Sequence, residues 1–277
     1  MIHEGELKRR LQEIANKDFE VPPRPERYPL LLAMGTYIGS PDPELRDDLI
    51  YTTLATWIWR DVFKPRELIE ILQVVLNKQH LFWGLGDIES DTVFTRSFSM
   101  LIVASILNAH VRHPFLPDEE LIVIQSKILR YINNEKDLRG YVPGKGWAHA
   151  VAHTADALEE LVQCAALDKT ALMEIMETIQ RRITSATAVF ICEEEERQVS
   201  AVIHIWRREE ITEEIIFDWL KAFHTAVDRR ESQPEGYRQF INVKNFLRSL
   251  YFRSLNIDLS ASIEQCISET LAEFNRF

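Results

Sequence analysis

Apolar residues recur three and four positions apart along most of the chain, the spacing that lines one side of an α-helix. The stretch DDLIYTTLATWIWRD, residues 47–61, predicts a mostly apolar helix with polar ends. Pro65 opens PRELIEILQVVLN from a first-turn position, where the missing N–H is harmless. Ser90 and Asp91 open DTVFTRSFSMLIVASILNAHVRH, a long helix that is nearly wholly apolar. Pro117 and Asp118 open DEELIVIQSKILRYINNE, with acids in the first turn, where the helix dipole favours them. Further helices are expected to begin near Gly146, Asp168, Glu193, Thr212, Pro234 and Ser260. With two N-terminal segments, the pattern predicts about twelve helices.

The breaks FLPDEE, ALDKT and SQPEGY read as helix–helix turns. No strand-like alternation persists long enough to build a sheet. The proline cluster PPRPERYP, residues 22–29, reads as a surface wrap after the first helix. No Gly-, Ser- or Pro-rich linker divides the chain, so residues 1–277 are expected to form a single all-helical domain. Paired helices in tandem give an α/α superhelix of the HEAT kind, open, or a closed α/α toroid. No exact internal repeat chooses between them.

Composition supports this and removes some partners. Nine glycines in 277 residues are few for a turn-rich β fold. Net charge is −11, from 32 basic against 43 acidic residues. That balance disfavours nucleic acid, which is held by basic side chains on phosphates, and likewise an anionic membrane surface. Uninterrupted apolar runs fall well short of the roughly 18 residues of a membrane span. Cys164, Cys192 and Cys266 lie far apart with no CxxC, as reduced thiols in a cytoplasmic protein would. The N-terminal MIHEGELKRRLQEI reads as a charged amphipathic helix and not a signal peptide.

Candidate chemistry concentrates in HAVAHTAD, residues 149–156. On a helix turning about 100° per residue, His149, His153, Asp156, Glu160 and Gln163 share one polar stripe. Trp147, Val151, Leu158, Leu161, Val162 and Ala165 form the opposite, core-facing side. Ala150 and Ala157 on one flank, and Ala148 and Ala152 on the other, let neighbouring helices approach closely. Such a stripe would line a concave surface. Histidines at i and i+4 also suit a metal, with Asp156 as a third ligand and His110, His113 or His204 as further candidates. The glutamate of HExxH is absent, because residue 150 is alanine. The stripe therefore reads as a metal site, a metal-free binding or catalytic wall, or a solvated face.

The preceding DLRGYVPGKGW holds Gly140, Gly144 and Gly146, with Arg139 and Lys145 beside them. It reads as a demanding turn, or as backbone that lets an anion approach a helix N-terminus. It lacks the P-loop spacing. Thr92, Arg96 and Ser99 share a helix face, and buried Arg96 would need a carboxylate such as Asp47, Asp48 or Asp91. The glutamates of CEEEERQVS read as a solvated run, with Glu193 and Arg197 spaced to pair. An amphipathic helix accounts for NVKNFLRSLYFRS, including Asn242, Asn245 and Arg248. The six tryptophans read as core, with Trp147 the exception. No nucleophile motif is present, and among 43 acids no hydrolase pair stands out.

The blocks LRDDLIYTTLATWI, SDTVFTRSFSMLIVASIL, LRGYVPGKGWAHAVAHTADAL, EEERQVSAV and NFLRSLYF run in order over about residues 44–254. Together they resemble the DUF2785 family. RGYVPGKGWAHAVAHTADAL is the most specific of them. The resemblance implies an all-helical, bacterial, cytoplasmic protein and no established activity. It also implies that Asp91, Arg96, Arg139, Gly146, Trp147, His149, His153 and Asp156 belong to the family pattern.

The expected function is thus a binding or interaction module. Its ligand-binding residues would be Trp147, His149, His153, Asp156, Arg139, Arg96 and Asp91, taking a small polar ligand or a peptide segment. Histidines suit hydrogen-bond exchange near neutral pH. One alternative is a metal-dependent hydrolase in which His149, His153 and Asp156 hold a divalent ion that activates water. Another is a purely structural helical scaffold. No cofactor is expected apart from that divalent metal.

Overall fold

The computed structural model describes residues 2–227 and 234–275. The protein is all-helical, as its periodicity predicts. Two compact units divide it, Met1–Leu161 and Val162–Phe277.

The first unit contains α1 (Glu4–Ala15), α2 (Arg24–Tyr37), a π-helical segment (Glu44–Tyr51) and α3 (Thr52–Trp59). It continues through α4 (Pro65–Val75), α5 (Thr92–Arg112), α6 (Asp118–Asn134), strands β1 (Tyr141–Val142) and β2 (Gly146–Trp147), and α7 (Ala150–Leu161). Three details differ from the sequence reading. The proline cluster does not wrap the surface: Arg24 starts α2 within it, and Pro25 and Pro29 lie in the helix. A proline near a helix start forfeits an N–H that has no partner there, so Pro25 is tolerated. The segment expected as one helix over 47–61 begins three residues earlier as a π-helix. And β1 and β2 form a minimal antiparallel hairpin, Tyr141 opposite Trp147 and Val142 opposite Gly146.

The helix α5 is the spine of this unit. It is apolar all round, which marks a helix enclosed by others. By length and composition alone it would cross a membrane, but 72% of its most apolar window is buried inside the protein. Helices α3, α4 and α7 pack against it, and α6 backs α7. The α5–α7 approach is close because its surfaces are small: Ala148, Ala150, Ala152, Ala155 and Ala157 are all buried.

The second unit contains α8 (Lys169–Ser185), α9 (Glu194–Arg207), α10 (Glu213–Ala226), α11 (Pro234–Ser254) and α12 (Ala261–Glu273). Asp168 caps α8 by accepting from the Ala171 N–H, and Ser260 caps α12 by accepting from Ile263. Helix α11 packs on α8, α9 and α12. Trp206, Trp219, Phe223 and Phe246 interlock at ring distances of 5.0–6.1 Å in the core. Buried Asn242 accepts from the Phe190 N–H and donates to the Ala188 carbonyl, tying α11 to the segment before α9. The acidic run is not uniformly solvated: Glu194 is buried and accepts from the Cys192 N–H. In the SQPEGY turn, Ser232 and Gln233 lie outside the described residues.

Candidate functional site

The hairpin before α7 is built from the residues that made it conspicuous. Gly144 and Gly146 hold φ of +75° and +77°. A Cβ on Gly146 would meet Pro43 at 2.7 Å and Arg46 Nη2 at 3.1 Å, so only glycine fits there without displacing the π-helical segment. Arg46, fully buried, donates from Nη2 to the carbonyls of Lys145 (2.7 Å) and Trp147 (3.3 Å) and from Nη1 to the Ser40 carbonyl. Its guanidinium lies over the rings of Phe94 and Phe98 and contacts Asp47 Oδ1 at 2.8 Å. Burial pushes the Asp47 carboxyl up to about 6, against the pull of Arg46.

Helix α7 starts at Ala150, four residues later than the sequence reading placed it. His149 is outside the helix, at φ +48°, and its carbonyl accepts from the His153 N–H. That left-handed turn undoes the helical projection from Trp147. Trp147, which the helical projection put on the core-facing side, is 41% exposed, whereas His149 and His153 are 8% and 5% exposed. Trp147 covers the His149 ring at 4.2 Å, and Tyr141 meets Trp147 at 5.0 Å. His149 meets His153 edge-on at 5.6 Å, and His153 meets Phe98 at 5.1 Å. His153 Nδ1 lies 3.2 Å from the Ser97 carbonyl, an oxygen that only accepts, so Nδ1 carries the proton. The histidines thus form an aromatic stack packed on α5, and the expected solvent-lining stripe is confined to the later part of α7.

The structure distributes the remaining candidates. Arg96, fully buried, makes a two-point ion pair with Glu135 at 2.7 and 3.0 Å. It also donates to the Trp83 and Gly84 carbonyls and to Thr92. Its carboxylate partner is therefore Glu135 and not Asp47, Asp48 or Asp91, because the residue that follows α6 is delivered beside Arg96 on α5. Asp91 pairs with Lys145 at 2.7 Å. Arg139 pairs with Asp137 at 2.6 Å and donates to the Ser90 carbonyl. These three residues fasten the hairpin and the end of α6 to the start of α5.

The proposed ligand set of His149, His153 and Asp156 is not assembled. Among the described residues, no three of His, Cys, Asp and Glu are placed to hold a metal ion. The physical reason is the packing above: the imidazoles meet rings and a carbonyl of the core, while Asp156 lies further along α7. His110 is likewise committed, its Nδ1 accepting from the Phe115 and Leu116 N–H groups. Burial lowers its pKa, consistent with a neutral ring. His113 is exposed, and His204 belongs to the second unit.

Asp156 instead lines an open groove of about 730 Å³ within the first unit. Its floor is α5, at Leu101, Ala104, Ser105 and Asn108. One wall is α7, at Asp156, Glu159 and Glu160; the other is Tyr51 at the end of the π-helical segment, Thr56 and Trp59 of α3, and Arg60 just after it. Asn108 donates to Glu160 Oε1 at 3.1 Å. Arg60 is held by Asp18 at 2.9 Å, and the Arg112 guanidinium stands 4.6 Å from the Trp59 ring centre. Trp59 is 62% exposed. Trp59, Asn108 and Glu159 were not singled out by sequence. An exposed tryptophan within an apolar helix carries no local mark, and the reading of the tryptophans as core holds only for Trp57, Trp206 and Trp219.

The family model described as a protein of unknown function, DUF2785, matches residues 81–252. The chain belongs to the DUF2785 family. The matched span covers more than half of the chain. It includes the floor and acidic wall of the groove, the Arg96–Glu135 pair and the hairpin. It begins after α4, so the LRDDLIYTTLATWI block, which holds Arg46 and Tyr51, and Trp59, which follows that block, both precede it. No curated protein and no solved structure matches the chain.

Proposed function

We propose that this DUF2785 protein is a binding module that takes a small polar ligand or a peptide segment in the α3/α5/α7 groove. One observation carries the reading: a concave space of about 730 Å³ with an acidic wall on α7, an aromatic wall on α3 and a floor containing small residues. Ligand sites are commonly concavities of some 300–1,000 Å³ with a few placed polar groups on an apolar lining. The histidine stack behind it acts as a rigid backing for α7, and Asp156 is the candidate ligand-binding residue that reaches the groove.

Beyond the all-helical fold, the proposal includes a superhelix of paired helices in one domain. It is supported by the packing of consecutive elements on one another, α1 on α2, α6 on α7 and α11 on α12. A bacterial, cytoplasmic setting without nucleic-acid or membrane partners is part of the same reading. It is supported by three cysteines far apart in the sequence, without a CxxC motif, and by a net charge of −11.

The test is an amide NMR titration of the full chain with cationic, anionic and neutral polar molecules and short peptides. Shifts concentrated at Ala104, Ser105 and Asn108 are the expected result. A panel that leaves these amides unmoved overturns the proposal.

A further inference from the structure

We infer that a second groove, between α2 and α4, binds a small uncharged aliphatic molecule. This site is separate from the α3/α5/α7 groove and does not depend on the function given to it. The two helices run side by side in the same sense. At their starts Arg24 pairs with Glu67 at 3.0 Å, and near their ends His80 Nε2 donates to the Gly35 carbonyl at 3.1 Å. Between these ties lies a space of about 410 Å³, within the range of small-molecule sites. Its floor is buried Leu54 of α3, Ile102 of α5 and Phe63 between α3 and α4. Its rim is exposed Tyr28, Leu32 and Val74.

The polar side chains that line this space are already engaged within the protein. Thr36 donates to the Leu32 carbonyl. Glu67 accepts from the Lys64 N–H and pairs with Arg24, and Glu70 accepts from Arg66. His80 meets Asn77 as well as Gly35. A charged ligand would have to break one of these ties to be recognised. A hydrocarbon needs only the remaining surface, which is apolar.

Gly35 is an independent sign of a ligand. It lies in the last turn of α2, where glycine weakens the helix relative to alanine. Tight packing does not require it, because an added Cβ would meet nothing within 4 Å. Its missing side chain instead leaves room in the groove that it lines.

Size separates the ligand from larger partners. From Glu67 to Val75 the groove follows α4 for about 12 Å. An extended decyl chain is of similar length. A docked helix about 10 Å across would fill on the order of 1,000 Å³ over that distance, more than twice the space. A second protein needs roughly 20–30 residues a side. The rim offers three exposed large apolar side chains.

Decanol is the probe, titrated into the full chain and followed by methyl NMR. Parallel arms use decanoate, decylamine and an amphipathic leucine–lysine helical peptide, and sedimentation reports self-association. Gly35→Leu fills the groove, Leu32→Lys puts a charge on its rim, and Ile88→Lys changes an exposed apolar position outside it. Thermal melts verify folding. Saturable decanol binding is expected, with shifts concentrated at the methyls of Leu54, Ile71 and Ile102. The affinity should fall at least tenfold in whichever of Gly35→Leu and Leu32→Lys is folded, and should be unchanged in Ile88→Lys. Undiminished binding in a folded Gly35→Leu overturns the inference, as do shifts confined to other methyls or the absence of saturation. Tighter binding of decanoate or decylamine than of decanol overturns the uncharged chemistry. Binding of the peptide without decanol, or self-association dispersed by Leu32→Lys without decanol binding, assigns the groove to a protein partner and overturns it as well.

Discussion

The guanidinium of Arg46 lies 4.1 Å from the centre of the Phe94 ring, and the same group holds two carbonyls of the hairpin that precedes α7. A π-helical segment supplies this contact. Its wider turn leaves adjacent Leu45 and Arg46 both fully buried. Arg46→Ala therefore removes three carbonyl contacts and the partner of a largely buried carboxyl. Loss of a buried ion-pair partner costs about 3–5 kcal/mol, and a loss of that order is expected in urea denaturation followed by circular dichroism. A loss below ~1 kcal/mol, the worth of an exposed pair, would refute this role.

Arg96 and Glu135 offer a sharper contrast. Glu135→Gln leaves a buried guanidinium without its counter-charge and is expected to destabilise by about 3 kcal/mol or more. Arg96→Met/Glu135→Leu removes both charges and should recover much of that loss, since well-packed apolar replacements of buried pairs are often neutral. A double-mutant cycle by chemical denaturation measures the coupling. Equal losses in the single and double variants would contradict it.

The two left-handed glycines of the hairpin should respond differently to the same change. At Gly144 nothing lies within 4 Å of an added Cβ, so Gly144→Ala carries only the backbone term, about 1–2 kcal/mol. Gly146→Ala adds a clash with Pro43 and Arg46, and an overpacking cost of ~1–3 kcal/mol on top is expected. Melting temperatures that fall equally in both variants would show that the hairpin does not press on the π-helical segment.

Asp47 gives the stability a defined pH dependence. Its folded carboxyl titrates at about 6, above its ordinary 3.8, because burial disfavours the charged form more than Arg46 favours it. The folded state thus holds the proton more tightly than the unfolded state. This contribution is fully present below pH 3.8 and is lost as pH rises to about 6. Asp47→Asn should remove that slope in urea denaturation between these pH values. Carboxyl NMR should place the Asp47 midpoint near 6, and a midpoint near 4 would refute the burial argument.

Hydrophobic periodicity determined the helices of this protein, and many starts were legible to within a residue or two. Proline at the start of α4, acids at the start of α6, and Asp168 and Ser260 as caps are local signals, fixed by backbone groups within one turn. The same sequence marked RGYVPGKGWAHAVAHTAD as exceptional. Two of its glycines, Gly144 and Gly146, do adopt conformations that other residues rarely reach.

Tertiary structure decided what that segment faces. A single left-handed residue, His149, shifted the helix start to Ala150 and exchanged the sides expected for Trp147 and the histidines. Helical projection cannot anticipate this, because it assumes the turn continues. Partners far apart in sequence were equally illegible: Arg46 with Lys145, Arg96 with Glu135, Trp59 across a groove from Asp156. Each depends on which helices pack side by side, and periodicity records only that a face is buried, not what buries it.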